Sequence, residues 1–170
     1  MTFETVLFYF LAAASIASAV MVITRRSPVM SVLFLIVNFF SLAGLYLTLH
    51  AQFIAVIQII VYAGAIMVLF LFVIMLLNLG DEQRLAERIS YKKMIAVGLS
   101  FAVLMEVLYV VAYSGTEFPT KNLERAVEIG TVEYIGRELF TTFLFPFEIT
   151  SILLLAAIIG AVVMAKKKID

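Results

Sequence analysis

The stretch from Ile54 to Leu77 limits the possible folds of this chain most strongly, because it contains no charged residue. At a rise of about 1.5 Å per residue, a helix of that length extends roughly 36 Å, which exceeds the roughly 30 Å hydrocarbon core of a bilayer. We predict a transmembrane helix that takes up its excess length by tilt, a bend or a bulge. The sequence alone does not choose among these three.

The composition extends this prediction to the whole chain. Hydrophobic residues make up 64% of it and charged residues 14%, and the mean hydropathy is +1.13, which is typical of an integral membrane protein. We predict an all-α fold of five transmembrane helices that form a single membrane domain over residues 1–170, with no room for a separate soluble catalytic domain. The predicted spans are residues 3–23, 29–49, 54–77, 94–113 and 143–165, and an outer loop covers residues 114–142.

Lysine and arginine predict the orientation, because cytoplasmic connections carry an excess of these residues. With five spans, nine of them fall on one side of the membrane and three on the other. We therefore expect the N-terminus in the periplasm or on the outer side of the membrane, and the C-terminus in the cytoplasm. The richer side holds Arg25, Arg26, Arg84, Arg88, Lys92, Lys93, Lys166, Lys167 and Lys168, and the other side holds Lys121, Arg125 and Arg137.

Several kinds of chemistry are excluded by what the chain lacks. It has no cysteine, so it forms no disulfide and supplies no thiolate to an iron–sulfur cluster. Its one histidine, His50, cannot build a metal site unaided. No glycine-rich phosphate loop is present, and we expect no nucleotide binding. Any redox centre is expected to belong to a partner protein.

Polar groups inside the spans are the candidates for function, because each is costly in lipid unless it is paired or hydrated. Tyr62 can donate and accept hydrogen bonds without charge at neutral pH, which suits a water chain or a gate. Gly64 weakens the helix and suits a local change of winding. Gln58 and Asn38 are polar companions. A purely structural alternative stays open, in which Tyr62 packs and Gly64 permits close helix contact.

Two carboxyl groups also fall in or near the spans. Glu106 lies about 10 Å from the outer end of its predicted helix, roughly level with Gln58 and Tyr62, and is a candidate for a proton path. Its alternatives are a protonated or hydrogen-bonded carboxyl at a subunit contact, or one that reaches outer water. Glu148 is expected in the first turn of a helix that begins at Pro146, where capping and interface anchoring would explain it.

Small residues recur four positions apart in the first and last spans. Ala14 pairs in this way with Ser18, and Ala156 with Gly160. Such faces let helix backbones approach closely, so they favour a packed membrane assembly over a lone bundle surrounded by lipid.

Two stretches of the chain resemble a known family. Residues 59–80, IIVYAGAIMVLFLFVIMLLNLG, resemble the third transmembrane helix of subunit J of bacterial respiratory complex I, the proton-pumping NADH–quinone oxidoreductase. This subunit is equivalent to the sixth mitochondrially encoded subunit. Residues 146–168, PFEITSILLLAAIIGAVVMAKKK, are similar to the end of the last helix in that family. The resemblance implies a membrane subunit that helps couple electron transfer from NADH to quinone with proton translocation.

The resemblance also implies roles for particular residues and partners. The third helix of the family can carry a π-bulge, here around Tyr62 to Met67, whose conversion to regular α-helix is associated with opening a hydrated proton route. Tyr62 and Gly64 match the family motif. Gln58 departs from it, because some members have glutamate there, and glutamine cannot take up a proton. Expected neighbours are subunits A, H, K and N, and the FMN, iron–sulfur clusters and quinone are expected in partner subunits and not in this chain.

Other functions stay open at this point. One is a subunit of a related ion-translocating oxidoreductase or hydrogenase with another electron donor, and another is a purely structural scaffold. A stand-alone transporter is disfavoured, because the chain lacks intramembrane charge pairs, clear internal repeats and paired interrupted helices.

Overall fold

The computed structural model describes residues 3–77, 91–113 and 127–166, and every regular element in these ranges is helical. Part of the predicted outer loop, residues 114–126, lies outside the described ranges. The elements are α1 (Phe3–Thr24), α2 (Pro28–Thr48), α3 (Gln52–Ile57), a π-helix (Gln58–Ile66), α4 (Met67–Leu76), α5 (Tyr91–Tyr113), α6 (Val132–Phe140) and α7 (Leu144–Ala165).

Four helical stretches of the described chain are long and apolar enough to cross a membrane. Three of them are α1, α2 and α7, and the fourth is the continuous run from Gln52 to Leu76, which we call the third helix and which contains α3, the π-helix and α4. Helix α5 contributes a shorter apolar stretch, Ile95–Val110. The all-helical membrane class predicted from the sequence is therefore confirmed, with four to five helices capable of spanning.

Helix α2 is the centre of the packed part of the fold. It packs against α1 on one side and against α3, the π-helix and α4 on the other, whereas α1 does not contact the third helix. The small residues of α2 permit this close packing, since Ala43 is fully buried and Gly44 lies directly against the Leu11 side chain of α1. Helix α5 packs against no other described element, and α7 contacts α6 alone among them.

A polar cluster joins α1 to α2. The Asn38 side-chain amide nitrogen donates to the Ser15 carbonyl oxygen at 2.7 Å, to Ser15 Oγ at 3.0 Å and to Ser18 Oγ at 3.3 Å. Ser18 Oγ in turn donates to the Ala14 carbonyl oxygen at 2.7 Å. Asn38 and Ser18 are both buried. In lipid these hydrogen bonds have no water to compete with them, so they fix the register of the two helices. We call this cluster the Asn38 clamp.

The turn between α2 and α3 is closed by contact with the segment before α6. His50 takes a left-handed backbone conformation with φ of 60°, which lets the chain reverse direction between the two helices. The Phe53 backbone N–H donates to the Gly130 carbonyl oxygen at 3.3 Å. Thr131 then begins α6, and its Oγ1 accepts a hydrogen bond from the Tyr134 backbone N–H at 3.3 Å. The start of the third helix is thereby tied to α6.

Replacing Gly130 by alanine is predicted to break this tie, because the added Cβ would overlap the backbone carbonyl of His50. We expect Gly130→Ala to destabilise the docking of α6 by about 1–3 kcal/mol, measured as faster proteolysis around residues 127–143 in membranes. Gly136→Ala is the matched control, because its added Cβ meets no described atom within 4 Å. Equal proteolysis rates in the two variants would show that the Gly130 contact does not hold α6.

Candidate functional site

The candidate site is built around the π-helix, where the backbone hydrogen bonding of the third helix changes. The Gln58 backbone N–H donates to the Ile54 carbonyl oxygen, four residues earlier, as in a regular α-helix. The Met67 backbone N–H instead donates to the Gly64 carbonyl oxygen and to the Tyr62 carbonyl oxygen, which lies five residues earlier. The third helix therefore contains a bulge, which is one of the three ways in which its excess length could have been accommodated.

The spacing of buried residues shows what the π-helix does to the helix face. Ala55, Gln58, Ala63 and Met67 are 2%, 8%, 5% and 8% exposed, and they are spaced by three, five and four residues. Residues on one face of a regular α-helix are spaced by three or four. The spacing of five falls within the π-helix. It turns Ala63, and then Met67, towards the packed interior.

Tyr62 lies next to that interior face and contacts α2. Its side chain is 46% exposed, and its ring meets the Phe39 ring edge-on, with 5.8 Å between centroids and 70° between ring planes. An aromatic pair of this geometry contributes about 0.5–1.5 kcal/mol beyond its buried area. The structure therefore places Tyr62 at the packing surface between α2 and the third helix.

Gly64 sits where a side chain would crowd the π-helical backbone. A Cβ at this position would lie 3.2 Å from the Ile59 carbonyl oxygen, five residues earlier, so that carbonyl would have to shift by a few tenths of an ångström. In regular winding the residue five positions back is not the hydrogen-bond acceptor. Glycine at this position avoids this close approach in the π-helix, in addition to weakening the helix.

The other candidate residues occupy different places. Gln58 is buried at the start of the π-helix, and Asn38 is held in the clamp between α1 and α2. Glu106 is exposed on α5, and because α5 packs against no other described helix, the structure does not bring Glu106 beside Gln58 or Tyr62.

The expected position of Glu148 in its helix is wrong. Helix α7 begins at Leu144 rather than at Pro146, so the first turn contains no acidic residue and Glu148 lies beyond it. Pro146 still falls within the first turn, where its missing N–H leaves no hydrogen bond unmade. The helix dipole therefore stabilises the Glu148 carboxylate less than the sequence suggested.

The sequence reasoning missed the Phe39 ring as a partner of Tyr62, and Ser15 and Ser18 as hydrogen-bond partners of Asn38. Phe39 is one of fifteen phenylalanines, and nothing in its sequence context marks it as the ring against Tyr62. Ser15 and Ser18 are three residues apart on one helix face, and with an asparagine in the next span they offered a signal for the clamp. Among the described residues, no group of three His, Cys, Asp or Glu side chains could hold a metal ion.

Comparison with known proteins gives consistent matches. The sequence profile of the family described as NADH-ubiquinone/plastoquinone oxidoreductase chain 6 matches residues 18–164. The chain is 36% identical to NADH-ubiquinone oxidoreductase chain 6 of Cyanidium caldarium, over 95% of this chain and 83% of that protein. It is 39% identical to F(420)H(2) dehydrogenase subunit J of Methanosarcina mazei, over 96% and 91%. It is 33% identical to NADH-quinone oxidoreductase subunit J of Buchnera aphidicola, over 95% and 97%.

Gly64→Ala is predicted to shift the third helix towards regular winding, because the new methyl group crowds the Ile59 carbonyl in the π-helix. We expect a change of about 1 kcal/mol, or about fivefold in population, seen in the backbone carbon chemical shifts of residues 58–66 by solid-state NMR. Gly160→Ala in α7 is the control, since its added Cβ meets nothing within 4 Å among the described residues. Unchanged shifts in Gly64→Ala would contradict the role given to this glycine.

Proposed function

Because this chain belongs to the NADH–quinone oxidoreductase chain 6 family, whose members include subunit J, we propose that it works as a membrane subunit of a proton-translocating NADH–quinone oxidoreductase. The observation that carries this proposal is the family match over residues 18–164, which covers the π-helix and most of α7. The chain itself transfers no electrons. It is a non-redox subunit of a translocase.

We place the chain in the bacterial inner membrane, with the N-terminus in the periplasm and the C-terminus in the cytoplasm. This orientation rests on the excess of lysine and arginine in the connections assigned to the cytoplasm. The neighbours expected from the resemblance are subunits A, H, K and N. The FMN, the iron–sulfur clusters and the quinone are assigned to partner subunits, in keeping with a chain that has no cysteine.

The contribution of this chain to coupling is proposed to be a change of winding in the third helix. If the helix continued with regular winding from Gln58, Tyr62 and Ile66 would take the interior face that Ala63 and Met67 now occupy. All backbone N–H groups stay bonded within the helix in both windings, as the bilayer requires. The exchange replaces a small buried side chain by a tyrosine that carries a hydroxyl group. It thereby changes which polar groups can order water between this chain and its neighbours.

A second electron donor is favoured by one comparison. The similar protein of Methanosarcina mazei is a subunit of an F(420)H(2) dehydrogenase, so the same kind of membrane subunit serves a complex with another named donor. Since the donor is bound elsewhere in such an assembly, the coupling role proposed for the third helix is the same in both cases.

Purification of the intact assembly tests the proposed function. We expect affinity purification in mild detergent to recover this chain with flavin and iron–sulfur subunits and with NADH–quinone reductase activity. The same subunits with no NADH activity, but with activity towards reduced F420, would support the second donor. A stable chain recovered alone would overturn the proposal.

Loss of polar groups in this chain is predicted to lower proton translocation more than electron transfer. Tyr62→Phe keeps the ring against Phe39 and removes only the hydroxyl, and Glu106→Gln removes only the charge. We expect each to lower the ratio of protons moved to NADH oxidised in reconstituted vesicles. Tyr9→Phe on α1, which does not contact the third helix, is the control. An unchanged ratio in Tyr62→Phe would exclude its hydroxyl from the path, and an unchanged ratio in Glu106→Gln would exclude that carboxyl.

A further inference from the structure

Two successive residues of α2 contact different neighbours. The Asn38 amide donates to Ser15 and Ser18 of α1, whereas the Phe39 ring meets Tyr62 of the π-helix. Because α1 does not contact the third helix, the link between them among the described helices runs through α2. The backbone between Asn38 and Phe39 is therefore the shortest described connection between the clamp and the π-helix.

The Asn38 clamp holds this part of α2 in a fixed position against α1. Asn38 is buried, and its amide nitrogen has three oxygen atoms of α1 within 3.3 Å. Sliding or rotating α2 against α1 would leave this amide without partners in an apolar surrounding, which is unfavourable. Phe39 therefore stays fixed relative to α1 when the third helix moves.

The contact between Phe39 and Tyr62 belongs to the π-helical winding. The α3 end of the third helix is held by the hydrogen bond between Phe53 and Gly130, so a change of winding rotates the residues that follow Gln58. Loss of the extra residue from the π-helical turn rotates the residues after Gln58 by about 100° about the helix axis. That rotation takes the Tyr62 ring out of its edge-on position and into the place of Ala63. The edge-on contact with Phe39 is then lost.

We propose that Phe39 is a positioning residue that selects the π-helical winding by holding the Tyr62 ring edge-on. This proposal rests on the winding change proposed above and names the residue that regulates it. The Asn38 clamp fixes the position of Phe39, and the Phe39 ring fixes the orientation of Tyr62. The orientation of Tyr62 in turn determines the winding of residues 58–66. Forces from neighbouring subunits must break the ring contact before the third helix can rewind.

Thiol labelling at two adjacent positions reports the winding directly. Ile66 is half exposed and Met67 is buried, and regular winding would exchange their positions. The chain has no native cysteine, so Ile66→Cys and Met67→Cys each introduce a single thiol into it. In the intact assembly, labelling by a membrane-permeant maleimide is measured on this chain by mass spectrometry. The ratio of the rate at position 67 to the rate at position 66 is the readout.

Phe39→Leu is expected to raise the ratio of the labelling rate at position 67 to that at position 66 by about two- to tenfold, which corresponds to the loss of one aromatic pair. Phe40→Leu is the matched control, because Phe40 is the next residue of α2 and no aromatic contact joins it to Tyr62 among the described residues. Tyr62→Leu removes the same contact from the other side and should raise the ratio similarly. In the Tyr62→Leu background, Phe39→Leu should then leave the labelling ratio unchanged.

The proposal is overturned if Phe39→Leu leaves the ratio unchanged, or if it raises the ratio equally with and without Tyr62. If Phe39→Leu does not assemble, Tyr62→Leu decides, and an unchanged ratio there is equally contradictory. The Ile66→Cys and Met67→Cys proteins without any further substitution, labelled at rest and during turnover, separate this result from the proposed function. A ratio that changes with turnover but not with Phe39→Leu refutes the role of Phe39 alone. A ratio that responds only to Phe39→Leu refutes the coupling role of the winding.

Discussion

The switch from four-residue to five-residue backbone hydrogen bonding between Gln58 and Met67 determines the surface that the third helix presents. In a bilayer, backbone N–H groups must find partners within their own helix, so a helix cannot simply break to adjust its faces. A π-helical turn adjusts them while the bonds are kept. The cost of exchanging the two windings then falls mainly on side-chain packing. In this chain that packing is provided by α2.

The packed part of the fold is small compared with the apolar surface that the chain exposes. Helices α1, α2 and the third helix form a connected group, but α5 contacts no other described helix and α7 contacts only α6. The side chains of α7 are almost all exposed along its length. Such an open arrangement fits a subunit whose outer helices pack against other chains, which agrees with a family of subunits from multi-subunit oxidoreductases. Under the proposed change of winding, the third helix responds to neighbours on several sides.

The sequence predicted the helical membrane class and the length problem of the third helix, because both depend on the distribution of apolar residues along the chain. It also pointed to Tyr62 and Gly64, since polar groups are costly inside spans, glycine weakens a helix and both residues match the family motif. It could not predict the face spacing from Ala55 to Met67, because a regular helix and a π-helix can be formed by the same residues and differ in tertiary packing. The contact between Phe39 and Tyr62 was not predicted for a related reason. Its partner lies on another helix, and only the rotation of both helices brings the two rings together.

The proposed coupling role requires that the interior face of the third helix change between two registers. Electron cryomicroscopy of the intact assembly, at rest and during turnover, tests it most directly by showing which side chain faces α2. We expect Ala63 and Met67 on that face in one population and Tyr62 and Ile66 in another, with the second population changing as turnover begins. The same register, with Ala63 and Met67 inside, in every particle class under both conditions would contradict the account.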